Sequence, residues 1–318
     1  MTTTLNEQQA RGFLAAHQIT DCVIKKVAGD ASFRSYYRIF SGQKDFVQTY
    51  ILMFAPPTHE DVKPFMKIDE FLVAHDFFAP KIFAADVNAG FLLLEDFGDD
   101  TYTKVLAQDV TKELKLYEKA GDVLLNLHKF PTPTGLVNYN HALLFREVWL
   151  FVDWYLPLQK RSWSLTQKAE FKLQWFKIFD LLSKENQVLV LRDFHADNLM
   201  VIPQGVGLLD FQDAVIGSAA YDLVSLLEDA RRDVDKKTRQ KILEFYLEKS
   251  ACDAEVFLRD YSILSLQRNV KILGIFSRLS LRDNKHNYLN LIPRVRDFVE
   301  ARLEDKIFFE IKKLISHE

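Results

Sequence analysis

The sequence has few of the features that mark secreted, membrane-bound or nucleic-acid-binding proteins. Its two cysteines, Cys22 and Cys252, lie far apart and without metal-ligand spacing, so we expect reduced thiols and neither a disulfide framework nor a zinc site. A formal net charge of -3 over 318 residues leaves no basic excess, and we therefore expect no nucleic-acid partner. No stretch approaches the ~18 uninterrupted apolar residues of a membrane-spanning helix, so we expect no membrane partner.

The first residues and the composition predict a soluble cytoplasmic protein. Residues 1–7 have neither a basic start nor an apolar run, which is not the pattern of a signal peptide. With 48% hydrophobic residues, the chain has enough apolar side chains for one large core or two smaller ones. The sequence contains no internal repeat or low-complexity tract, and we expect a monomer.

The first hundred residues predict a strand-rich unit. Thr4 and Glu7 form a capping-box pattern that opens a helix to about His17. Thr58 is a candidate cap for a second helix, which carries apolar residues on one broad face. Five extended runs alternate with turn residues, and they cover residues 22–27, 36–40, 46–53, 81–86 and 91–95.

After residues 96–100 the pattern becomes helical. Helices are predicted over residues 109–128, 141–156, 166–183, 218–230, 235–250, 254–282 and 293–316. We therefore predict an α+β protein with two lobes: a strand-rich N-lobe at residues 1–96 and a mainly helical C-lobe at residues 97–318.

Three polar residues have the spacing of a phosphoryl-transfer site. Asp193 is followed five residues later by Asn198 and twelve residues after that by Asp210. A kinase needs one carboxylate to accept the proton of the attacking hydroxyl, and an amide oxygen and a second carboxylate to bind magnesium. Short apolar strands predicted at 188–191, 198–202 and 206–209 frame the three residues, which favours a site over chance turn residues.

The residues around this motif resemble a known family. Residues 192–198 (RDFHADN) and 209–211 (LDF) are similar to the catalytic and metal loops of the aminoglycoside phosphotransferase superfamily, which has a protein-kinase-like fold. The resemblance implies an ATP-dependent kinase that uses Mg²⁺, with Asp193 as catalytic base and Asn198 and Asp210 as metal ligands. Longer runs at 55–57, 91–96, 207–214 and 220–232 resemble the bacterial amino-sugar kinases of this superfamily. Those enzymes make the 1-phosphate of N-acetylmuramate or N-acetylglucosamine in cell-wall recycling. The resemblance therefore implies that the N-lobe binds the nucleotide and that the C-lobe carries the catalytic loop and the sugar site.

The predicted nucleotide site departs from the general kinase pattern. Met53 stands on the third strand where a phosphate-binding Lys is expected, so Glu70 on the next helix would lack its usual partner. Small residues at 29–32 leave backbone N–H groups for phosphate, and a nearby arginine adds positive charge, although an ordinary hairpin turn is an equal alternative. The connector after the fifth strand would offer its main chain to the adenine, or it is simply a polar linker. The predicted nucleotide-binding residues are Gly29, Ser32, Arg34, Leu94, Glu95 and Asp96.

The sugar site is predicted on residues that also have structural interpretations. His195 is a second catalytic candidate, which would bind substrate or phosphate oxygens or lock the loop by bonding to backbone. Acids beside aromatic rings suit a sugar, but a core helix with solvated acids has the same pattern. The predicted substrate-binding residues are Glu147, Asp153, Trp154, Asp213 and Arg231. Asp222 is expected to bind the backbone N–H groups of the catalytic loop.

Two other functions remain open on the sequence. One is a kinase of the same fold for an aminoglycoside, a choline-like compound or another small alcohol. Balanced charge in the C-terminal helices gives no acidic patch for a polycation, which favours a neutral or anionic sugar. The other is a pseudokinase that only binds ligands, and Met53 is its only support.

Overall fold

The computed structural model describes residues 5–27, 33–43, 46–185 and 187–316. Its internal contacts divide the chain into two compact units. The first unit contains residues 1–105 and 197–213, and the second contains residues 106–196 and 214–318. Residues 197–213 thus group with the N-terminal unit, whereas the sequence pattern predicts the C-lobe for them. The assignment of nucleotide binding to 1–96 and catalysis to 97–318 stays a prediction.

The first unit is built on an antiparallel five-stranded sheet with the order β1-β2-β3-β5-β4. Its strands are β1 (Cys22–Lys26), β2 (Ser35–Gln43), β3 (Phe46–Phe54), β4 (Ile82–Asp86) and β5 (Phe91–Glu95). Alternating apolar residues turn one face of the sheet toward α1 (Glu7–Ala16), and Phe13, Leu14 and Leu52 are buried there. The five predicted extended runs are confirmed.

Two further helices belong wholly or mostly to the first unit, α2 (Lys63–Ala74) and α3 (Tyr102–Gln108). The Thr58 cap is wrong: α2 begins at Lys63 with Pro64 in its first turn, where the missing N–H costs nothing. At α1, Asn6 accepts a hydrogen bond from the N–H of Gln9 at 3.2 Å. The predicted cap at Thr4 lies outside the described residues.

A β-hairpin completes the first unit. Strands β7 (Leu199–Ile202) and β8 (Gly205–Leu208) pair with Leu199 opposite Leu208. A side chain on Gly207 would come within 2.8 Å of the Phe97 ring, so glycine lets the hairpin approach the segment after β5.

The second unit is helical around one antiparallel strand pair. Strand β6 (Gln187–Val190) pairs with β9 (Val215–Ser218), a strand that the sequence pattern does not predict. The helices are α4 (Glu113–Leu127), α5 (His141–Leu150), α6 (Leu156–Leu158), α7 (Leu165–Phe179), α8 (Ala220–Leu227), α9 (Lys236–Lys249), α10 (Ala254–Leu281), α11 (Ile292–Leu303) and α12 (Phe309–Ile315). Among the described residues, we find no helix with the length and apolar character to cross a membrane.

The helices of the second unit approach one another closely at the end of α5. A π-helical turn at Phe151–Tyr155 joins α5 to α6. Helix α10 passes so close to it that a Cβ on Gly274 would lie 2.4 Å from the carbonyl carbon of Leu150. Further along the chain, the single helix predicted over 293–316 is wrong, because Asp305 caps a new turn at Lys306–Phe308.

Candidate active site

The open end of the β7–β8 hairpin brings Asn198 and Asp210 together. The N–H of Leu209 donates to the carbonyl of Asn198 at 3.0 Å, which continues the ladder one step beyond the strands. The Asn198 amide nitrogen then lies 3.5 Å from Asp210 Oδ2. Asp210 has a φ of +58°, a left-handed conformation that is uncommon for a non-glycine residue.

Polar side chains surround the Asp210 carboxylate. Gln212 Nε2 donates to Oδ1 at 2.9 Å, and Arg34 Nη1 lies 3.7 Å from the same oxygen. Arg34 is nearly buried and also lies 4.0 Å from Glu60. Burial opposes its charge, but Tyr36, Asp210 and Glu60 more than offset it, so the pKa of Arg34 is raised and the guanidinium stays protonated.

A cavity of about 290 Å³ lies within the first unit. Its walls are apolar on both sides, with Val27 and Ile51 from the sheet and Met200 and Leu209 from the hairpin. Three of the predicted nucleotide-binding residues line it, namely Leu94, Glu95 and Asp96, and so do both members of the Asn198–Asp210 pair. A flat aromatic base with phosphates at one end has this distribution of apolar and polar groups. Gly29 and Ser32 lie outside the described residues.

Arg38 fixes the segment that forms the rim of this cavity. Its guanidinium donates to Asp96 Oδ1 at 3.0 Å, to Asp99 Oδ2 at 2.9 Å and to the carbonyl of Gly98 at 2.9 Å. Asp96 also accepts from the N–H of Gly98 at 2.9 Å. The side chain of Asp96 therefore serves the connector itself. Arg38 was missed from the sequence, because an arginine in a strand gives no sign of a partner about sixty residues away.

Met53 is a core residue, as its type suggests. It is fully buried on β3, opposite Tyr36 on one neighbouring strand and Leu92 on the other. Glu70 is exposed, and the buried acid of α2 is Asp69 instead. Burial, together with the nearby charge of Glu95, raises the pKa of Asp69 to about 7.

In the second unit, buried carboxylates bind the backbone of the loop that carries Asp193. Asp222, fully buried on α8, accepts the N–H of Leu191 at 2.6 Å and that of Arg192 at 2.8 Å, which confirms the predicted tie. Asp229 accepts the N–H of Ala196 at 3.3 Å. Burial raises the pKa of Asp222 to about 7 although the two N–H donors oppose this. Asp193 itself follows β6 and is partly exposed.

Glu147 lies in a buried charged cluster with the residue before Asp193. Its carboxylate bonds to the Arg192 guanidinium and to the Tyr139 hydroxyl, and it lies 3.2 Å from Lys271 Nζ. Burial raises its pKa, but Lys271 and Arg192 outweigh burial, so the net pKa of Glu147 is lowered and the group is ionised. These contacts give Glu147 a structural role behind the loop, and its predicted contact with sugar stays a prediction.

The other predicted substrate residues are not gathered on one surface of the second unit. Asp153 is exposed on the π-helical turn. Partial burial raises its pKa, although the charge of Lys168 on α7 opposes this. Trp154 next to it is half-buried. Neither bonds to Glu147 within the part of the chain that the structure describes. Asp213, in the first unit, is exposed and lies within electrostatic range of Arg34.

His195 is buried and contacts Arg231. Arg231 Nη1 lies 3.2 Å from His195 Nε2, and a guanidinium can only donate, so Nε2 must accept. Burial first, and then the charges of Arg231 and Arg268, hold the pKa of His195 well below its ordinary value. A neutral imidazole favours orientation of Arg231 over proton transfer. Arg231 lies beyond the end of α8 at Leu227.

Comparison with known proteins agrees with this architecture. A choline kinase from Streptococcus pneumoniae superposes with a TM-score of 0.65 at 12% identity, over 93% of this chain and 99% of its own. An ADP-bound aminoglycoside phosphotransferase gives a TM-score of 0.62 at 15% identity, over 96% and 99% of the two chains. The fold is therefore protein-kinase-like, as predicted.

Sequence comparison identifies the family to which the chain belongs. Residues 23–260 match the phosphotransferase enzyme family, and the chain belongs to this family. A Caulobacter vibrioides protein is 33% identical over 98% of this chain and 96% of its own. A Pseudomonas aeruginosa protein is 36% identical over 86% of this chain and 82% of its own. Both relatives are named N-acetylmuramate/N-acetylglucosamine kinase.

Proposed function

We propose that this chain is an ATP-dependent kinase that phosphorylates the anomeric hydroxyl of N-acetylmuramate, N-acetylglucosamine or both, giving the sugar 1-phosphate. The observation that carries the proposal is the identity of 30–36% to four relatives with this name, over at least 84% of this chain. The spacing of Asp193, Asn198 and Asp210 supports it independently, because a protein that only binds ligands does not need all three.

In the proposed reaction, Asp193 orients the anomeric hydroxyl and accepts its proton as the oxygen attacks the γ-phosphorus of ATP. The bond between the γ-phosphorus and the β,γ-bridging oxygen breaks, and ADP leaves. A hemiacetal hydroxyl is more acidic than an ordinary alcohol, so one carboxylate is enough as a base.

The residues around Asp210 fit a magnesium ion. Asp210 and the Asn198 side chain present hard oxygen ligands, once the amide is turned so that its oxygen faces the carboxylate. Gln212 Oε1 is buried and, among the described residues, has no hydrogen-bond partner, which makes it a third available oxygen. When bound, Mg²⁺ would neutralise the charge of the nucleotide phosphates.

Arg34 is the proposed replacement for the missing lysine. It is protonated, and it lies 3.7 Å from Asp210 and 4.0 Å from Glu60. A guanidinium in this position can bind phosphate oxygens, as the lysine of other kinases does. The apolar cavity with Leu94, Glu95 and Asp96 would then take the adenine.

Product analysis tests the proposal. Purified protein is incubated with Mg²⁺, ATP and one acceptor at a time: N-acetylmuramate, N-acetylglucosamine, an aminoglycoside or choline. We expect ADP release with the N-acetylated sugars and a sugar 1-phosphate by phosphorus NMR. Borohydride-reduced sugars, which have no anomeric hydroxyl, serve as the matched control and should be inert. A 6-phosphate product would refute the anomeric assignment. ADP release with choline or the aminoglycoside but with neither sugar would refute the assignment of a sugar as the acceptor.

A further inference from the structure

Lys271 is a largely buried lysine near the middle of α10. Its side chain is 12% exposed, and its Nζ lies 3.2 Å from Glu147 Oε1 and donates to the Tyr221 hydroxyl at 3.1 Å. Burial opposes its charge, but Glu147 and Tyr221 raise the pKa of Lys271 above its ordinary value, so the amine is protonated. A charged lysine is seldom retained in a core without such a partner.

Glu147 connects Lys271 to the catalytic loop. The Oε1 atom that lies against Lys271 also accepts a hydrogen bond from the Arg192 guanidinium. Gln267, one helical turn before Lys271, donates to Oε2 at 3.1 Å, and the Tyr139 hydroxyl donates to the same oxygen. With its two oxygens engaged from both sides, the carboxylate has one orientation, and that orientation fixes the end of the Arg192 side chain.

Arg192 needs this anchor because of its backbone. Its φ is +71°, in the left-handed region that a residue with a side chain rarely adopts. The Asp222 carboxylate accepts its N–H at 2.8 Å, and Ser225 Oγ lies 3.4 Å from its carbonyl. Asp193 is the next residue, so the direction of its side chain follows directly from this conformation.

The approach of α10 to α5 makes the contact possible. Gln267, Lys271 and Gly274 stand at positions i, i+4 and i+7, on one face of α10. The absence of a side chain at Gly274 allows that face to lie against the backbone of Leu150. Lys271 and Arg192 thereby place two positive charges against the carboxylate of Glu147.

We propose that Lys271 is a positioning residue for phosphoryl transfer: it holds Glu147 against Arg192, and this pair maintains the left-handed turn that presents Asp193. The inference rests on the proposed role of Asp193 as the base. Loss of the lysine should therefore lower kcat and leave the KM for ATP unchanged, since nothing in the cluster belongs to the cavity of the first unit.

The test compares Lys271→Met with Arg302→Met. Arg302 also pairs with a buried acid of the second unit, Glu228, at 2.7 Å, but it does not touch Glu147 or Arg192. Both variants should lose Tm to a similar degree. Only Lys271→Met should have a lower kcat than wild type, by about tenfold. This is the size of effect typical of residues that orient a reacting group. Equal kcat in Lys271→Met and wild type would overturn the proposal.

A double-mutant cycle tests the route through Glu147. If Lys271 acts through that carboxylate, Lys271→Met should have almost no further effect on kcat in a Glu147→Gln background. Additive losses would overturn the route.

Should Lys271→Met fail to fold, Tyr221→Phe removes only one hydrogen bond to the amine and should lower kcat about threefold. An unchanged kcat there would also overturn the proposal. Wild-type protein that phosphorylates no acceptor would instead refute the proposed function, and this role with it.

Discussion

The surroundings of Asp210 and those of Asp193 are built in opposite ways. Around Asp210, in the first unit, the contacts come from the ends of long side chains, Arg34 and Gln212, and from an amide at 3.5 Å. Around Asp193, in the second unit, the contacts come from buried carboxylates that bind the loop's own backbone.

The difference corresponds to what each proposed role requires. Ligands of a metal–nucleotide complex must exchange at every turnover, and side-chain ends can move aside at little cost. A base must be in place beforehand, because small displacements of a reacting group lower the rate strongly. Backbone hydrogen bonds to buried acids meet that second need.

Substitution of the base tests the rigid side of the comparison and should have the largest effect. Asp193→Asn should lower kcat by about 10² to 10⁴, because it removes the proton acceptor and little else. ATP affinity, measured by the thermal shift that ATP and Mg²⁺ produce, should stay near wild type. Asp297→Asn, at an exposed position of α11, is the control. Wild-type kcat in Asp193→Asn would refute its role.

Substitution of the metal carboxylate tests the exchangeable side. Asp210→Ala should lower kcat/KM for ATP by about a hundredfold, through loss of a magnesium ligand. The magnesium-dependent part of the ATP thermal shift should disappear as well. If that part persists, Asp210 is not the principal ligand, even where activity is lost.

The connector provides an intermediate test. Arg38→Met removes the hydrogen bonds to three residues of the connector, Asp96, Gly98 and Asp99, so the KM for ATP should rise about three- to tenfold. Because the hydrogen bonds of Arg38 lie within the first unit and the proposed base belongs to the second, kcat should change little. Arg11→Met, which removes an exposed ion pair with Glu7 in the same unit, should leave both constants unchanged. A selective loss of kcat in Arg38→Met would contradict the proposed place of the connector.

The smallest effect concerns stability. The pKa of Asp69 is raised in the folded state from 3.8 to about 7, so the folded protein holds this proton more tightly than the unfolded chain. The group's penalty is therefore absent below about pH 4 and grows as the pH rises toward 7. Asp69→Asn should raise the free energy of unfolding at pH 8 by about 1 to 4 kcal/mol, the upper value corresponding to the full shift, with little effect at pH 4. Glu70→Gln, on the same helix but exposed, should leave the free energy of unfolding unchanged at both pH values. A gain in stability in Asp69→Asn that does not depend on pH would exclude titration as its cause.

The parts that could be predicted from sequence are those with local signals. Strand β5 was predicted with both ends correct, because Gly90 precedes an unbroken apolar run and an acidic connector follows it. The hydrogen bonds that Asp222 accepts from the loop were predicted because a carboxylate near the start of a helix commonly binds backbone N–H groups. Asn198 and Asp210 were predicted to act together from their spacing after Asp193, and the two short strands with turn residues between them supported that prediction.

The parts that could not be predicted depend on partners distant in sequence. Nothing next to Lys271 or Gln267 indicates a carboxylate some 120 residues away, and a polar residue within a helix is usually an exposed one. Glu147 has the same ambiguity: its aromatic neighbours in sequence suit a sugar, whereas its partners in the structure include two cations, Arg192 and Lys271. The neutral state of His195 follows from its burial and from the charges of Arg231 and Arg268, which the sequence pattern could not place beside it.

The hairpin that brings Asn198 and Asp210 together has a consequence for recognising distant relatives. The two residues are neighbours because Leu199 pairs with Leu208, and the turn at residues 203–204 only closes the far end. A relative with a longer or shorter turn would keep the pair as long as the strand register is kept. An insertion of one residue within a strand would instead turn one member to the opposite face. Searches for such enzymes should therefore let the number of residues between the Asn and the Asp vary, while requiring the two strands to stay in register.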